Sequence, residues 1–243
     1  MAHLKIHPLP LMKLKSARGI LTYLVNMGDP VETYASIWYI EGTRERILID
    51  AGGSAEMMIR RGYPVEHISS PADALKRIGI TPEQVDVIIC THLHNDHMEL
   101  GHVYRNAKFI IQKAELEANA DPHPLEAPRC VPKPLLEKLN FDVVEGDAEI
   151  VEGVRVLFTP GHTRGGQSVA VDTEKGRVVV SGLCTLRDNF EPPEPINKIM
   201  PVIPPGIHLD AREAFESLTR IKQVADIIVP LHDGEFAFKK TIP

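Results

Sequence analysis

Short apolar runs rich in β-branched residues recur along the chain, and they limit the possible folds more than any other feature of the sequence. Runs of this kind, bounded by glycine, proline or polar residues, predict buried β-strands. They occupy residues 20–25, 34–40, 46–50, 85–90 and 108–112 in the first half, and 142–159, 167–172, 177–182 and 226–230 in the second. Helices are predicted between the strands from Ser70–Pro71 onward, at 113–120 and at 210–223. This pattern predicts two sheets packed face to face and covered by helices.

The charge balance and the cysteines narrow the functional classes. The chain has 243 residues, with 27 lysines and arginines against 33 aspartates and glutamates, and a net charge of −6. Because basic residues never form long runs, nucleic acid is not an expected partner.

Cys90, Cys130 and Cys184 are odd in number and form no CxxC pair. We therefore expect a reducing compartment, the cytoplasm, and no disulfide framework. No apolar stretch has the length of a signal peptide core or a membrane span, so no membrane partner is expected.

One dense cluster of polar residues points to a metal site. His92, His94, Asp96 and His97 fall within six positions, directly after the predicted strand 85–90. Alternate residues of an extended backbone project to one side, and a turn after them would bring His97 beside the others. Because the chain has only 11 histidines in 243 residues, chance is a poor explanation of this spacing.

Three further candidate ligands, His162, Cys184 and His232, also follow predicted strands. Loops after strands are where a layered fold brings distant residues together. Imidazole, carboxylate and thiolate all bind zinc, and a catalytic zinc usually keeps an open position for water. Seven candidates are sufficient for two metal ions. Isolated histidines are more often hydrogen-bonded core or surface residues, so we predict no metal at five of the other six: His3, His7, His67, His123 and His208. The sixth, His102, is interpreted as supporting the site or the structure without binding metal.

Two proline-rich stretches, 121–134 and 190–206, interrupt the predicted elements. They are interpreted either as stiff surface loops or as loops that border the site and shape a substrate pocket. Apolar residues near the candidate ligands would then line the pocket, with Arg187 as an anchor for an anionic group: Met98, Phe190, Ile196, Ile199 and Met200.

Six motifs give the chain a resemblance to a known family. They are LIDAG (48–52), THLHNDH (91–97), RNAKFIIQKAELEA (105–118), TPGHTRGGQS (159–168), SGLCTLRDNFE (181–191) and VPLHDGE (229–235). In this order they resemble the metallo-β-lactamase fold superfamily, and within it the N-acyl-homoserine lactonase group. The resemblance implies an α/β protein with a single αββα sandwich domain over residues 1–243, and a site along one edge of the two sheets.

The resemblance also implies a distribution of ligands. His92, His94 and His162 would hold a first metal, whereas a second would be held by three other residues: Asp96, His97 and His232. Asp50 matches a buried carboxylate that supports the ligand loop without binding metal. Two zinc ions per chain are expected, with iron or manganese as alternatives.

The chain departs from the family pattern after Gly182. Where dinuclear members carry a bridging aspartate, this chain has Leu183 and Cys184. Cys184 is predicted either to bind the second metal as a thiolate, which would favour zinc, or to be a buried small apolar residue. A tyrosine found just downstream in the lactonases is also missing, because this stretch reads Thr185, Leu186, Arg187.

The implied function is a metal-dependent hydrolase that opens a lactone or a related ester-like bond. Zinc lowers the pKa of its bound water to about 7, so hydroxide is available to attack the carbonyl. Asp96 is the predicted catalytic residue, which would orient the nucleophile and shuttle its proton.

Other functions on the same fold stay open. They are a thioesterase or β-lactamase, a persulfide dioxygenase with a single iron, and a metal-binding sensor without turnover. A small-molecule substrate is expected in every enzymatic case. The sequence leaves a homodimer open.

Overall fold

Two β-sheets form the centre of the computed structural model, which describes residues 4–243. The first sheet contains β1 (Lys5–Ala17), β2 (Pro30–Glu41), β3 (Ile47–Ile49), β4 (Val65–His67), β5 (Val87–Ile89), β6 (Lys108–Gln112) and β7 (Asn140–Val144). The second contains β8 (Ala148–Val151), β9 (Val154–Phe158), β10 (Gln167–Thr173), β11 (Gly176–Val180) and β12 (Ile227–Val229). The strand orders are β4-β1-β2-β3-β5-β6-β7 and β12-β11-β10-β9-β8.

Helices connect and cover the sheets. They are α1 (Ala55–Arg60), α2 (Pro71–Lys76), α3 (Asn95–Met98), α4 (Lys113–Ala120), α5 (Lys133–Leu136), α6 (Arg187–Phe190), α7 (Ala211–Val224) and α8 (Gly234–Ala237). Short 3-10 segments lie at Arg18–Ile20, Pro82–Gln84, Glu99–Val103 and Ile196–Lys198. Within residues 4–243, each helix is too short or too polar to cross a bilayer.

Apolar side chains pack on both faces of each sheet, which gives four layers. Trp38 and Ile49 of the first sheet meet Val169 and Val180 of the second in the central core. On the outer face of the first sheet, buried residues of α2 pack against β5 and β6. On the outer face of the second sheet, α7 buries Leu218 and other apolar residues. The predicted αββα sandwich is therefore confirmed.

Most predicted elements are present, and several have the predicted bounds. β6 and α4 coincide with residues 108–112 and 113–120. α2 begins after Ser70, whose side chain accepts a hydrogen bond from the backbone N–H of Asp73. This N-cap and the proline that follows it explain why the helix starts there.

The N-terminal segment was not predicted as a strand, yet β1 is the longest strand described. Pro8 and Pro10 lack the N–H that a central strand needs, which hides the strand from sequence patterns. The structure accommodates both prolines because β4 pairs with β1 only at 12–14, so at Pro8 and Pro10 only β2 is adjacent.

The strand predicted at 20–25 is wrong. The segment forms a 3-10 turn and further turns, in which the N–H groups of Leu21 and Thr22 both donate to the carbonyl of Arg18. Leu24 has φ +58° and is 68% exposed, so its backbone and its side chain both leave the pattern of a buried strand. The apolar residues of this segment belong to no sheet: Ile20 and Leu21 line the cavity, Leu24 is exposed and Val25 is buried.

Gln167 joins the two sheets where they meet the candidate site. It is fully buried at the start of β10, and its backbone N–H donates to the carbonyl of Thr91 at 2.9 Å. Its side-chain amide donates to the carbonyl of Cys90 at 2.8 Å and accepts from the Gln112 amide at 2.9 Å. These bonds fix the first residue of β10 against the loop after β5.

We expect Gln167→Leu to lower the free energy of unfolding by about 1–3 kcal/mol, because the leucine fits the space but leaves buried polar groups unpaired. Urea denaturation followed by circular dichroism measures the loss. Gln223→Leu, at an exposed position of α7, is the matched control and should change stability by less than about 0.5 kcal/mol. Equal effects of the two substitutions would show that the Gln167 bonds do not stabilise the sandwich.

Candidate metal centre

The candidate ligands lie on segments that directly follow strands of both sheets. β3 and β5 are parallel neighbours, so residues 50 and 90–97 leave the first sheet at the same edge. β11 and β12 are parallel neighbours in the second sheet, which brings the loop of His232 to the corresponding edge. The backbone turns into α3 at Asn95, as the predicted turn requires.

The structure gathers six of the seven predicted ligands into two groups. His92, His94 and His162 form one group, and Asp96, His97 and His232 form the other. Within each group, one donor atom per residue lies within 4.8 Å of the others, a spacing that can hold a metal ion. The Nε2 atoms of His97 and His232 are 3.4 Å apart. In the described part of the chain, the isolated histidines predicted not to bind metal belong to neither group; His3 lies outside the described residues.

Hydrogen bonds at Nδ1 orient the imidazoles. His162 Nδ1 donates to the carbonyl of Ile207 at 2.6 Å, and His232 Nδ1 donates to the carbonyl of Tyr34 at 3.1 Å. His97 Nδ1 donates to the Asp50 carboxylate at 2.8 Å. A histidine that donates through Nδ1 is oriented so that its Nε2 can face a metal, and these bonds therefore position the three rings as ligands.

His92 supplies the most direct test of whether a cation fits. Its Nδ1 donates to the Thr91 hydroxyl at 3.0 Å, and that hydroxyl donates to Asp50 at 2.9 Å. Its Nε2 is buried and has no hydrogen-bond partner in the described part of the chain. A buried polar atom without a partner costs about 1–3 kcal/mol, and a metal ion at this position would remove the cost.

The electrostatics of the two groups agree with this fit. Burial lowers the pKa of His162 and of His232 to about 4, and it holds the pKa of His92 and His94 well below the usual range. These imidazoles are therefore neutral at pH 7, as metal binding requires.

His97 differs from the other imidazoles. Burial lowers its pKa, but the carboxylates of Asp96 and Asp50 outweigh burial and raise the pKa to about 10. The two carboxylates thus favour positive charge at this place, which a bound cation would supply.

Asp50 connects the ligand loop to the end of β3. It is fully buried, and besides His97 it accepts the backbone N–H of Thr91 at 2.7 Å. Its φ of +61° lies in the left-handed region, which non-glycine residues seldom adopt. The carboxylate bonds offset this conformational cost and hold Asp50 in the supporting position that the resemblance implied.

Glu115 of α4 binds both loops that carry the first group, and the sequence analysis assigned it no role. One carboxylate oxygen accepts the N–H of Leu93 at 2.9 Å, and the other accepts the N–H of Gly165 at 2.8 Å. Leu93 lies between His92 and His94, and Gly165 follows His162 by three residues. Burial raises the pKa of Glu115, whereas the backbone donors lower it.

Gly165 allows this close approach. A Cβ atom at residue 165 would lie 2.2 Å from the Glu115 backbone nitrogen, so only glycine fits beside α4.

The structure leaves Cys184 outside both groups. Its side chain is 9% exposed and packs with Leu21 and Leu186. Burial, followed by the Asp96 carboxylate, raises the pKa of the thiol well above its usual range. This environment is the one expected if Cys184 is a buried small apolar residue, which is one of the two interpretations drawn from the sequence. The role of Cys184 as a ligand stays a prediction.

A cavity of about 380 Å³ opens beside the two groups. Its walls come from the end of β1, from α1 and the residue after it, and from both proline-rich stretches. Pro128 and Arg129 represent the first stretch and Gly206 the second, so the interpretation that these loops border the site agrees with the geometry.

The residues predicted to line this pocket lie elsewhere. Among the described residues of the cavity wall, none of the five apolar candidates occurs. Met98 and Phe190 are buried in the cores outside the first and second sheets, and Ile199 is 81% exposed. Arg187 pairs with Glu191 at 2.8 Å and with Glu235 at 3.1 Å. Sequence proximity to a ligand did not identify the wall, because the wall consists of segments distant in the chain.

Residues 31–232 match the family model of the metallo-beta-lactamase superfamily. The chain belongs to this superfamily. The matched range contains both groups of candidate ligands and strands of both sheets, and the resemblance drawn from the six motifs is confirmed.

Relatives of this superfamily member include lactonases. An N-acyl homoserine lactonase of Bacillus cereus is 36% identical over 152 residues, which are 62% of this chain and 55% of that protein. The match thus spans little more than half of the relative. A probable metallo-hydrolase of Methanocaldococcus jannaschii is 30% identical over 160 residues, which are 66% of this chain and 63% of that protein.

Solved structures give a longer match. An N-acyl homoserine lactone hydrolase, solved with the product N-hexanoyl-L-homoserine at its catalytic metal centre, has a TM-score of 0.79 and 25% identity. The superposition covers 97% of this chain and 95% of that chain.

We expect Glu115→Gln to weaken metal binding at the first group by about 10- to 100-fold, the usual effect of losing a partner that orients the ligands. The amide would place an N–H where a backbone N–H now donates. Competition with a chromogenic chelator measures the affinity. Glu117→Gln, on the exposed side of the same helix, should leave metal affinity unchanged. Identical affinities for the two variants would show that Glu115 does not position the ligand loops.

From its packing, we expect Cys184→Ser to keep the wild-type metal content and to lower the melting temperature slightly. Cys184→Asp should be more damaging, because a buried carboxylate without a partner is costly. Elemental analysis and thermal denaturation of both variants measure these outcomes. A serine variant with about one metal fewer than wild type, restored in part by aspartate, would instead support the thiolate ligand.

Proposed function

We propose that this protein is a dinuclear metal-dependent hydrolase that opens the ester bond of a lactone or a related substrate. The observation that carries the proposal is the pair of donor groups beside one cavity, with the buried Nε2 of His92 lacking a hydrogen-bond partner among residues 4–243. The superfamily membership and the lactonases among its relatives support the same reaction.

Zinc is the proposed metal, with two ions per chain. Three imidazoles in the first group, and two imidazoles with the Asp96 carboxylate in the second, are ligands that zinc accepts, although iron and manganese accept them as well. When bound, the metals would polarise the ester carbonyl and lower the pKa of a water molecule toward neutrality.

Asp96 is the proposed catalytic residue. Its side chain is 21% exposed and lines the cavity, whereas the neighbouring His97 side chain is 1% exposed. Asp96 is therefore the carboxylate of the donor groups that a substrate and a water molecule can both reach. It would orient the water, receive its proton and pass that proton to the departing alkoxide.

The remaining residues hold this arrangement in place. Asp50 fixes the ring of His97, and Glu115 fixes the loops of the three histidines in the first group. Because these ligands are already held in position, they do not have to be reorganised during the reaction, and this lowers the activation barrier. Ring opening of a lactone would give a hydroxy acid.

A cytoplasmic location and action on a small molecule complete the proposal. All three cysteines are free thiols, in keeping with a reducing compartment. The cavity volume of about 380 Å³ suits a small-molecule substrate.

We expect His94→Ala and His162→Ala each to lower kcat/KM for N-hexanoyl-homoserine lactone by more than about 100-fold, beyond the usual effect of losing an outer-shell partner. Acid release on ring opening, followed with a pH indicator, measures the rate, and elemental analysis measures the metal. His67→Ala is the matched control, because His67 is exposed and lies in neither donor group.

Two results would contradict the proposal. Metal-loaded protein that opens no lactone but cleaves thioesters or β-lactams would belong to another hydrolase class. A single iron per chain together with oxygen consumption on a persulfide would indicate a dioxygenase.

A further inference from the structure

The cavity wall carries an excess of positive charge, although the whole chain has a net charge of −6. Lys15, Arg61 and Arg129 line the cavity. Asp96 is the only carboxylate among the described lining residues, and it already belongs to a metal group. A cleft of one sign of charge raises the local concentration of ligands of the opposite sign.

The two arginines are held by carbonyl groups and not by carboxylates. Arg61 Nη1 donates to the carbonyl of Pro128, and Arg129 Nη1 donates to the carbonyl of Leu125 at 3.1 Å. Over residues 4–243, neither takes part in a described ion pair, whereas Arg18 and Arg187 are paired with carboxylates. A carbonyl orients a guanidinium without neutralising its charge, and the other N–H groups of each guanidinium stay available to a ligand.

Both arginines are close to the metal centre and to each other. The carbonyl of Arg129 accepts the N–H of Asn95 at 2.8 Å, and the adjacent Cys130 forms a β-bridge with His94. Arg61 reaches the same segment through Pro128. Both guanidinium groups thus line the same cavity as the candidate ligands.

We propose that Arg61 and Arg129 form a subsite for a carboxylate carried by the substrate, so that the preferred ester or lactone is an anion. This inference rests on the proposed hydrolase function, and it assigns the substrate class of that same cavity. Guanidinium binds carboxylate through two parallel N–H···O bonds, a geometry that lysine cannot reproduce. Lys15 adds positive charge to the same cavity wall but is not part of the proposed subsite.

The binding experiment needs no turnover. Calorimetry on metal-loaded protein compares glutaric acid monoanilide, which ends in a carboxylate, with the matched anilide that ends in a carboxamide. We expect the carboxylate to bind about tenfold more tightly, the effect of a hydrogen bond to a charged group. The preference should weaken as salt concentration rises, because Arg61 is exposed and Arg129 is half-buried.

The decisive variant is the double substitution Arg61→Gln and Arg129→Gln. It should reduce the preference for the carboxylate to about onefold, since glutamine retains hydrogen bonding but not charge. Arg44→Gln, an exposed arginine outside the cavity, should retain the full preference. A carboxylate preference that survives the double substitution would come from direct binding to the metals and would overturn the subsite, as would the absence of any preference in wild type.

Hydrolysis of two 4-nitrophenyl esters with the same carboxylate and carboxamide ends separates this inference from the proposed function. The expected ratio of kcat/KM for the two esters is about ten in favour of the anion, and it should fall in the double variant. Turnover of both esters at equal rates would support the hydrolase function and contradict the carboxylate subsite. Failure to cleave either ester, with the anilide preference intact, would retain the subsite and contradict the hydrolase.

Discussion

The meeting of strand ends from two sheets is the constraint on which the rest of this structure depends. β3 and β5 end side by side in one sheet, β11 and β12 end side by side in the other, and Gln167 joins the two edges through the carbonyl groups of Thr91 and Cys90. Every candidate ligand follows one of the strands that end near this junction. The apolar core between the sheets therefore stabilises more than the fold, because it sets the distance between loops that are far apart in the chain.

Buried polar groups make the candidate metal centre costly for the protein alone. Burial keeps the imidazoles of His92, His94, His162 and His232 neutral, and one nitrogen of His92 has no partner. Asp50 and Glu115 offset part of this cost by accepting hydrogen bonds from ring and backbone N–H groups. The same bonds leave the metal-binding nitrogens pointing toward common positions, so stability and metal binding depend on the same interactions.

The cavity brings together reactive groups and groups that can recognise a substrate. Near the donor groups, Asp96 and the imidazoles provide the chemistry of bond cleavage. Leucine, isoleucine and methionine side chains from β1, α1 and the turns after β1 also line the cavity and offer apolar contact. Two arginines that form no described ion pair within residues 4–243 offer charge. Apolar contact contributes affinity in proportion to the area buried, whereas a fixed charge discriminates between substrates of similar shape. Specificity within a family that shares one metal centre can thus arise from wall residues alone.

The sequence by itself determined the four-layer fold class, most strands and helices, and six of the candidate ligands that the structure brings together. These features are local: apolar runs, an N-cap before a proline, and four polar residues within six positions.

The sequence did not reveal β1. Prolines are acceptable in a strand only where a neighbouring strand is missing, and strand order is a tertiary property. It did not reveal Glu115, Arg61 or Arg129, because a lone charged residue has no spacing to distinguish it from a solvated surface residue. Only the tertiary structure decided that Glu115 is buried against two ligand loops, and that the cavity wall comes from β1, α1 and residue 129. The physical reason is that burial and electrostatic environment depend on which distant segments pack together, and not on the residues adjacent in the chain.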